Sequence, residues 1–246
     1  MPDVRRHRGP HPEDARLFAP ERWPALRAAC DDFCWLLDRG YAAESALKLV
    51  GDRHALVARQ RVAVARCACA TAAAAARRAR QVPPAALRDR PLWIDGYNAL
   101  TTIEAALGGG VLLAARDGTL RDMASMHGSY RKVAETRPAL EMLGETLAEL
   151  GPAEYRWLLD RPVSNSGRLR QLMAVVAAAR GWNWQVDLAD SPDRVLIAAA
   201  GESPAVVVAT ADSAILDRCG AWFNLARETL GRRGPVAASD LRLVAL

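Results

Sequence analysis

The spacing of hydrophobic and polar positions divides the chain into two unlike parts. Residues 21 to 80 place apolar side chains only at helical spacing, which predicts helices over 21–38, 41–50 and 54–80. From residue 92 onward, short apolar runs alternate with helical patterns. The runs predict strands at 92–95, 155–159, 182–186, 205–209 and 221–223, with an edge strand at 111–115. Helices are predicted at 139–150, 166–180, 191–200 and 212–219. This alternation is typical of the α/β class, with a mostly parallel sheet sandwiched by helices.

Proline marks the boundary between the two parts. In Gln81-Val82-Pro83-Pro84, the first proline moves Val82 out of the helical region and the second prevents the helix from resuming. We therefore predict a small all-α domain over 16–82 and an α/β domain over 83–246. Residues 1–15 are rich in Pro, His and Arg without an apolar core, which predicts a disordered tail.

Charge is unevenly distributed along the chain. Residues 1–90 hold 17 Lys and Arg against 10 Asp and Glu, whereas the remainder holds 16 against 18. A basic front half suits a polyanion such as nucleic acid. The alternative is a general abundance of arginine without such a partner. Within the 54–80 helix, Arg59 and Arg66 fall close together and are predicted to contact nucleic acid. Arg61 is offset by about 200° and is predicted to pair with Asp31 or Asp38.

Cysteine usage and hydropathy indicate the compartment. Five cysteines and no secretory signal predict a reducing, cytoplasmic setting. The pairs Cys30/Cys34 and Cys67/Cys69 do not have the usual spacing of zinc ligands, so buried thiols are the expected interpretation. No run of about 20 uncharged apolar residues is present, which predicts that the membrane is not a partner.

The candidate chemistry lies at the ends of the predicted strands. Four strands run into carboxylates, which are Asp95, Asp160, the pair Asp187 and Asp190, and Asp212. In an open parallel sheet, ligands bind just beyond the carboxyl ends of the strands. Clustered carboxylates repel one another, and a divalent cation relieves that repulsion. Oxygen ligands favour Mg²⁺ or Mn²⁺. The single histidine of this half, His127, is given no role.

A resemblance gives these acids specific roles. The run Asp95-Gly96-Tyr97-Asn98 resembles the opening motif of the NYN branch of PIN-like metal-dependent ribonucleases. Asp160, Asp193 in Pro192-Asp193-Arg194-Val195-Leu196, and Asp212 in Thr210-Ala211-Asp212 resemble the second, third and fourth acids. The similarity covers roughly residues 90 to 225. The whole chain is also similar to an uncharacterised prokaryotic family that joins a helical front domain to such a domain.

The resemblance implies a PIN-like (Rossmannoid) fold and metal-dependent hydrolysis of phosphodiesters, with RNA as the expected partner. Asp95, Asp193 and Asp212 would be ligands of Mg²⁺ or Mn²⁺, and Asp160 would complete the catalytic set. Asn98 and Thr210 would orient water or phosphate. A further acid is expected on a helix between the first two strands, and Glu104, Asp117 and Asp122 compete for that place. Asp190 is an additional candidate beside Asp193.

Two further features have alternative interpretations. The segment Ser164-Asn165-Ser166 with Arg168 is a candidate phosphate-binding helix N-terminus, or equally a plain helix cap made by Ser164 or Ser166. Asp95, Asp193 and Asp212 could likewise serve only as helix-capping or first-turn acids.

Two rival functions remain open. One is a non-catalytic nucleic-acid-binding or regulatory protein on the same fold. The other is an aspartyl phosphatase with Asp95 as nucleophile, although Tyr97 stands where one large family of that kind has a second aspartate.

Overall fold

The chain forms eleven α-helices and eight strands within the residues that its computed structural model describes, namely 7–124, 130–203, 205–233 and 242–245. His127 lies outside them. The helices are α1 (Asp14–Leu17), α2 (Trp23–Asp38), α3 (Ala43–Arg53), α4 (Ala58–Cys67), α5 (Thr71–Arg80), α6 (Gly96–Leu107), α7 (Thr136–Leu150), α8 (Ser166–Arg180), α9 (Pro192–Glu202), α10 (Ser213–Leu216) and α11 (Leu225–Arg233). The strands are β1 (Pro91–Asp95), β2 (Val111–Ala114), β3 (Leu120–Asp122), β4 (Glu154–Asp160), β5 (Trp184–Ala189), β6 (Val207–Ala209), β7 (Ala221–Phe223) and β8 (Arg242–Ala245).

A five-stranded parallel sheet with the order β5-β4-β1-β6-β7 organises the second part of the chain. The chain adds β4 and β5 on one side of β1 and then returns to add β6 and β7 on the other. The strand order therefore reverses between β1 and β6. In open α/β sheets the crevice for a ligand lies at this reversal, outside the carboxyl ends of the strands.

Helices cover both faces of this sheet. Leu92 and Ile94 of β1 point into a core formed with α6, α7, α8 and α11. Trp93 packs on the opposite face, where Leu196 of α9 and Ile215 of α10 are buried. Alternate residues of a strand point to opposite faces, so the short apolar runs supply both cores. The predicted α/β class, with a mostly parallel sheet and a helical region before it, is confirmed.

The N-terminal helices pack against a second, smaller sheet. Their core includes Leu26 and Phe33 of α2 and Val64 of α4, together with Val111 and Leu113 of β2. Strand β2 pairs antiparallel with β3 and parallel with β8. The helical region thus shares a hydrophobic core with strands that follow the predicted boundary.

The predicted helix over 54–80 is wrong, because the chain forms two helices there. Ala68 and Ala70 adopt extended backbone angles, with ψ of 148° and 147°, and separate α4 from α5. The Asp38 carboxylate accepts hydrogen bonds from the backbone N–H and hydroxyl of Thr71, at 2.5 and 2.6 Å, and so starts α5. The partner that caps the helix comes from α2, so the local sequence contains no signal for the break.

The prediction of a disordered tail is corrected for residues 7–15. The Arg8 side chain is 7% exposed and its Nε donates to Glu104 Oε2, which is fully buried, at 2.6 Å. Asp14 begins α1 and pairs with Arg59. Polar composition suggested disorder, but buried ion pairs anchor this segment instead of apolar contacts.

Thiols and hydropathy complete the description. All five cysteines are buried and free of disulfides. Among the described residues, no helix combines the length and apolar character that crossing a membrane requires.

Candidate functional site

Asp95 is the centre of the candidate site. It ends β1, caps α6, and is 9% exposed. Its Oδ1 accepts a hydrogen bond from the Asn98 backbone N–H at 3.3 Å, and its Oδ2 accepts one from the Thr210 hydroxyl at 2.9 Å. The carboxyl group is therefore fixed at the carboxyl end of the central strand, beside the strand-order reversal.

Gly96 allows this strand-to-helix turn to lie against β4. A Cβ atom at residue 96 would stand 2.6 Å from Leu159 Cδ2 and 2.8 Å from the Leu158 carbonyl oxygen. The second contact is with backbone, which cannot rotate away. The glycine after Asp95 thus reflects close packing between two strand ends.

The electrostatic environment of Asp95 is unfavourable to its ionised form. Burial raises the pKa of Asp95 from 3.8 to about 7, against the lowering effect of the hydrogen bonds from Thr210 and Asn98. The charges of Asp212 and Asp193 raise the pKa of Asp95 further. These acids, distant in sequence, are therefore close enough in the fold for their charges to interact.

The end of β6 is joined to the end of β1 by polar contacts. Thr210 Oγ1 accepts from the Asp212 backbone N–H at 3.0 Å while donating to Asp95. Asn98 Oδ1 accepts from the Ala211 backbone N–H at 2.9 Å. Asp212 caps α10 by accepting from the N–H groups of Ala214 and Ile215, at 2.7 and 3.3 Å.

These contacts give Asn98 and Thr210 a structural role. The Thr210 hydroxyl is buried, donates to Asp95 and accepts from the Asp212 N–H, so it joins the ends of β1 and β6. The side-chain oxygen of Asn98 joins the same two ends. Their roles toward water or phosphate stay predictions. Asp212 serves as a helix cap and also faces Asp95 and Asp193 electrostatically.

Asp160 and Asp193 extend the acidic group along the same edge of the sheet. Partial burial and the charge of Asp193 raise the pKa of Asp160. Partial burial and the charge of Asp212 raise the pKa of Asp193. Asp95, Asp160 and Asp212, predicted from the strand ends, and Asp193, predicted from the resemblance, thus repel one another through their charges, and we call these four acids the carboxylate row.

The oxygen ligands of this row suit a divalent cation, but they do not form a complete coordination site. Within residues 7–124, 130–203 and 205–233, no three Asp, Glu, His or Cys side chains are arranged to hold a metal ion together. The expected shared set of Asp95, Asp193 and Asp212 is therefore not preassembled. Magnesium nonetheless commonly binds through one or two carboxylates, keeping several waters and taking further oxygen ligands from substrate. The donor type and the surplus of negative charge match that mode.

The three competitors for a further acid all lie in other networks. Glu104 pairs with Arg8 and accepts from Thr136 Oγ1 at 2.6 Å. Asp117 pairs with Arg77 and Arg121, at 2.7 and 3.0 Å. Asp122 accepts from the hydroxyls of Thr101 and Thr102, at 3.3 and 3.0 Å. Each is buried and bound by its own partners, which indicates a structural role for all three.

Asp190 and Asp187 also do not join the row. Asp190 is 79% exposed and lies 3.5 Å from Arg161 Nε. Asp187 pairs with Arg156 at 2.8 Å. Asp190, predicted as an additional candidate, is therefore corrected to a solvent-exposed ion-pair partner.

The segment before α8 is built differently from both predictions. The Ser166 hydroxyl is buried, lies 2.7 Å from Tyr97 Oη, and donates to backbone carbonyls rather than capping the helix. Asn165 has a left-handed backbone (φ 71°), and its Nδ2 donates to the Tyr130 carbonyl at 2.9 Å. Ser164, Asn165 and Arg168 remain exposed, so of the four predicted phosphate ligands only Ser166 is buried.

The basic residues predicted to bind nucleic acid are engaged internally. Arg59 pairs with Asp14, and Arg66 donates to the carbonyl of Ala124 at 3.2 Å. Arg61 pairs with Asp52 at 2.8 Å, not with Asp31 or Asp38. Both Arg59 and Arg66 thus hold the fold together, and their joint contact with nucleic acid stays a prediction.

Two residues that position the site were missed by sequence reasoning. Tyr97 joins the first turn of α6 to the start of α8 through Ser166. Arg77 reaches Ser213, next to Asp212, from the helical region. Neither contact has a sequence signal, because both partners lie far away along the chain.

The comparisons with known proteins follow the same division of the chain. The profile of the family described as Domain of unknown function (DUF5616) matches residues 84–228. The chain belongs to the DUF5616 family. A second profile, Protein of unknown function (DUF434), matches residues 25–80 of this DUF5616 protein. Over 145 residues the chain is 26% identical to Uncharacterized protein MJ0935 of Methanocaldococcus jannaschii, covering 59% of the chain and 69% of that relative. No solved structure matches this DUF5616 protein significantly.

Proposed function

We propose that this DUF5616 protein is a metal-dependent phosphodiesterase that acts on nucleic acid, with RNA as the expected substrate, on a PIN-like fold. The observation that carries the proposal is the row of carboxylates at the β1–β6 reversal, centred on the buried Asp95. Carboxylates that only repel one another destabilise a fold. A bound divalent cation turns the same arrangement into a stabilising one.

Each acid has a distinct place in the proposed reaction. Asp95, Asp193 and Asp212 would hold Mg²⁺ or Mn²⁺, and Asp160 would act from the other end of the row. Such an ion lowers the pKa of bound water and offsets charge on phosphate oxygens during in-line displacement. Thr210 keeps one oxygen of Asp95 in place by a hydrogen bond, so that the carboxylate needs little rearrangement when the ion arrives.

Exposed arginines near the acids support an anionic substrate. Arg161 follows Asp160, Arg168 lies in the first turn of α8, and Arg194 follows Asp193; all three are exposed. A nucleic-acid backbone bound at the acids would pass close to these three arginines. Arginine binds phosphate oxygens through two parallel hydrogen bonds, which gives orientation as well as attraction. The net charge of +5 favours polyanions in general.

A second candidate, a non-catalytic nucleic-acid-binding protein, is favoured by one observation. The described residues contain no ready-made group of three metal ligands. On this alternative, the arginines bind RNA and the acids only cap helices, as Asp95 and Asp212 already do.

Cleavage of labelled single-stranded RNA by the full chain separates the candidates. We expect Mn²⁺- or Mg²⁺-dependent release of nucleotide products that EDTA abolishes and Asp95→Asn removes. Asp190→Asn is the matched control, because Asp190 is an exposed carboxylate outside the row. A thermal shift with Mn²⁺ alone reports binding without catalysis.

Three results would count against the proposal. Cleavage retained in Asp95→Asn would show that the activity belongs elsewhere. RNA binding without cleavage or a Mn²⁺ shift would favour the binding protein. Release of inorganic phosphate from monoesters would favour the aspartyl phosphatase.

A further inference from the structure

Arg77 connects the helical region to the α/β part through four side-chain hydrogen bonds. It lies in the last turn of α5 and is 3% exposed. Its Nε and Nη2 donate to the two carboxylate oxygens of Asp217, at 2.7 and 2.8 Å. Its Nη1 donates to Asp117 Oδ2 at 2.7 Å and to Ser213 Oγ at 3.3 Å.

These contacts hold both ends of α10. Ser213 is its first residue, and Asp217 directly follows its last. Arg121 adds a second guanidinium at Ser213 Oγ, at 2.9 Å, and also binds Asp117. The two arginines balance the charges of the buried Asp117 and the half-exposed Asp217.

A helix of four residues depends on such contacts. An isolated helix of one turn is not stable in water, because the conformational entropy lost in forming the first turn exceeds the stabilisation from its hydrogen bonds. Ile215 and Leu216 bury its apolar side against α9 and β6. The rotation of α10 about that contact is then set by Arg77 and Arg121. The Asp212 carboxylate follows α10, because it accepts the N–H groups of Ala214 and Ile215.

We propose that Arg77 is a positioning residue that fixes the orientation of the Asp212 carboxylate through Ser213, Asp217 and α10. Its importance for catalysis rests on the proposed function, but its geometric effect does not. The planar guanidinium is required, because an ammonium group cannot bind both oxygens of Asp217 and reach Asp117 at once. The helical region thereby acts on the candidate site without contributing a residue to it.

Amide hydrogen exchange on the full chain tests the positioning directly. In Arg77→Lys, we expect exchange of the Ala214 and Ile215 amides to accelerate about tenfold to a hundredfold, because charge-assisted hydrogen bonds are lost. The β1 amides of Leu92 and Ile94 should keep their rates, which separates a local change from global destabilisation. Arg78→Lys is the control, because Arg78 is exposed on the same helix and its Nη2 donates to the Arg116 backbone carbonyl.

A second variant keeps the test decisive. If Arg77→Lys does not fold, Ser213→Ala removes the hydroxyl that accepts from both Arg77 and Arg121, leaves the Arg77–Asp217 pair in place, and is judged by the same exchange measurement. Unchanged rates at Ala214 and Ile215, or an equal acceleration in β1, would overturn the inference.

Activity supplies an independent arm. If the wild-type chain cleaves RNA, we expect Arg77→Lys to lower kcat at least tenfold with KM within about twofold, because binding groups are untouched. An equal rise in KM would contradict positioning. If the wild type does not cleave RNA, the proposed function fails, and hydrogen exchange alone decides the role of Arg77.

Discussion

Replacing Asp95 with Asn should stabilise the metal-free protein at alkaline pH and much less at acidic pH. The cause is the pKa of Asp95, which burial, together with Asp212 and Asp193, raises from 3.8 to about 7. Because the folded-state pKa lies above the unfolded-state pKa, the fold binds the proton more tightly than the unfolded chain does. The resulting stabilisation is complete below about pH 4 and is lost as pH rises through 7.

The magnitude follows from the two pKa values. For one group that shifts from about 3.9 to about 7, the loss of stability between pH 5 and pH 8 is about 2.6 kcal/mol. An asparagine does not ionise and escapes this loss. The hydrogen bonds from Thr210 and Asn98 favour the ionised form of Asp95, and their effect is already contained in its pKa. They therefore add no separate correction to the difference between pH 5 and pH 8.

Urea unfolding of both proteins at pH 5 and pH 8, with EDTA present, measures this difference. We expect the stability of Asp95→Asn relative to wild type to rise by about 2–3 kcal/mol from pH 5 to pH 8. Asp190→Asn, an exposed carboxylate, should show little change in either condition. Parallel pH profiles for wild type and Asp95→Asn would refute the reasoning, since they would mean that Asp95 is not held in an unfavourable environment.

Two further substitutions test the packing around the site. Arg8→Met should destabilise the protein by about 3–5 kcal/mol in urea unfolding, because it leaves Glu104 buried without its cation. The exposed pair partner Arg16→Met should cost under about 1 kcal/mol, and an equal effect of the two would contradict the anchoring of the N-terminal segment. Gly96→Ala should cost about 1–3 kcal/mol, since its methyl group would meet the Leu158 carbonyl. Gly167→Ala has open space and should be neutral or stabilising, so a melting temperature unchanged in Gly96→Ala would count against close packing at that turn.

The sequence predicts well those features that depend on strand ends. Asp95, Asp160 and Asp212 each follow an apolar run, and parallel strands bring their carboxyl ends to one edge. Their position at that edge therefore follows from period and topology, whereas Asp193 is predicted only from the resemblance of its motif, and its charge acts on Asp95 and Asp160. The predicted sheet and its flanking helices rest on the same periodicity.

Features decided by partners distant in sequence could not be predicted. Arg59 and Arg61 lie two residues apart on the same helix, yet Arg59 binds Asp14 and Arg61 binds Asp52. The break between α4 and α5 depends on Asp38, which lies more than one helix away. The local sequence does not distinguish Glu104, Asp117 and Asp122 from one another as candidate site acids. Only their buried partners show that each has a structural role. Side-chain pairing is thus where tertiary structure overrides the local pattern.

The boundary at residues 81–84 separates two sequence patterns and two family profiles, but it does not separate two independent cores. Val111 and Leu113 are buried among the N-terminal helices, Arg8 neutralises Glu104 of α6, and Arg77 holds α10. Removing the residues before this boundary would therefore expose apolar strand residues, leave Glu104 buried without Arg8, and leave Asp117 paired with Arg121 but without Arg77. Uncompensated buried charge is among the most destabilising changes a fold can undergo. For this reason, a loss of activity on truncation would not identify the helical region as an RNA-binding domain; point substitutions that keep these contacts are needed to separate binding from folding.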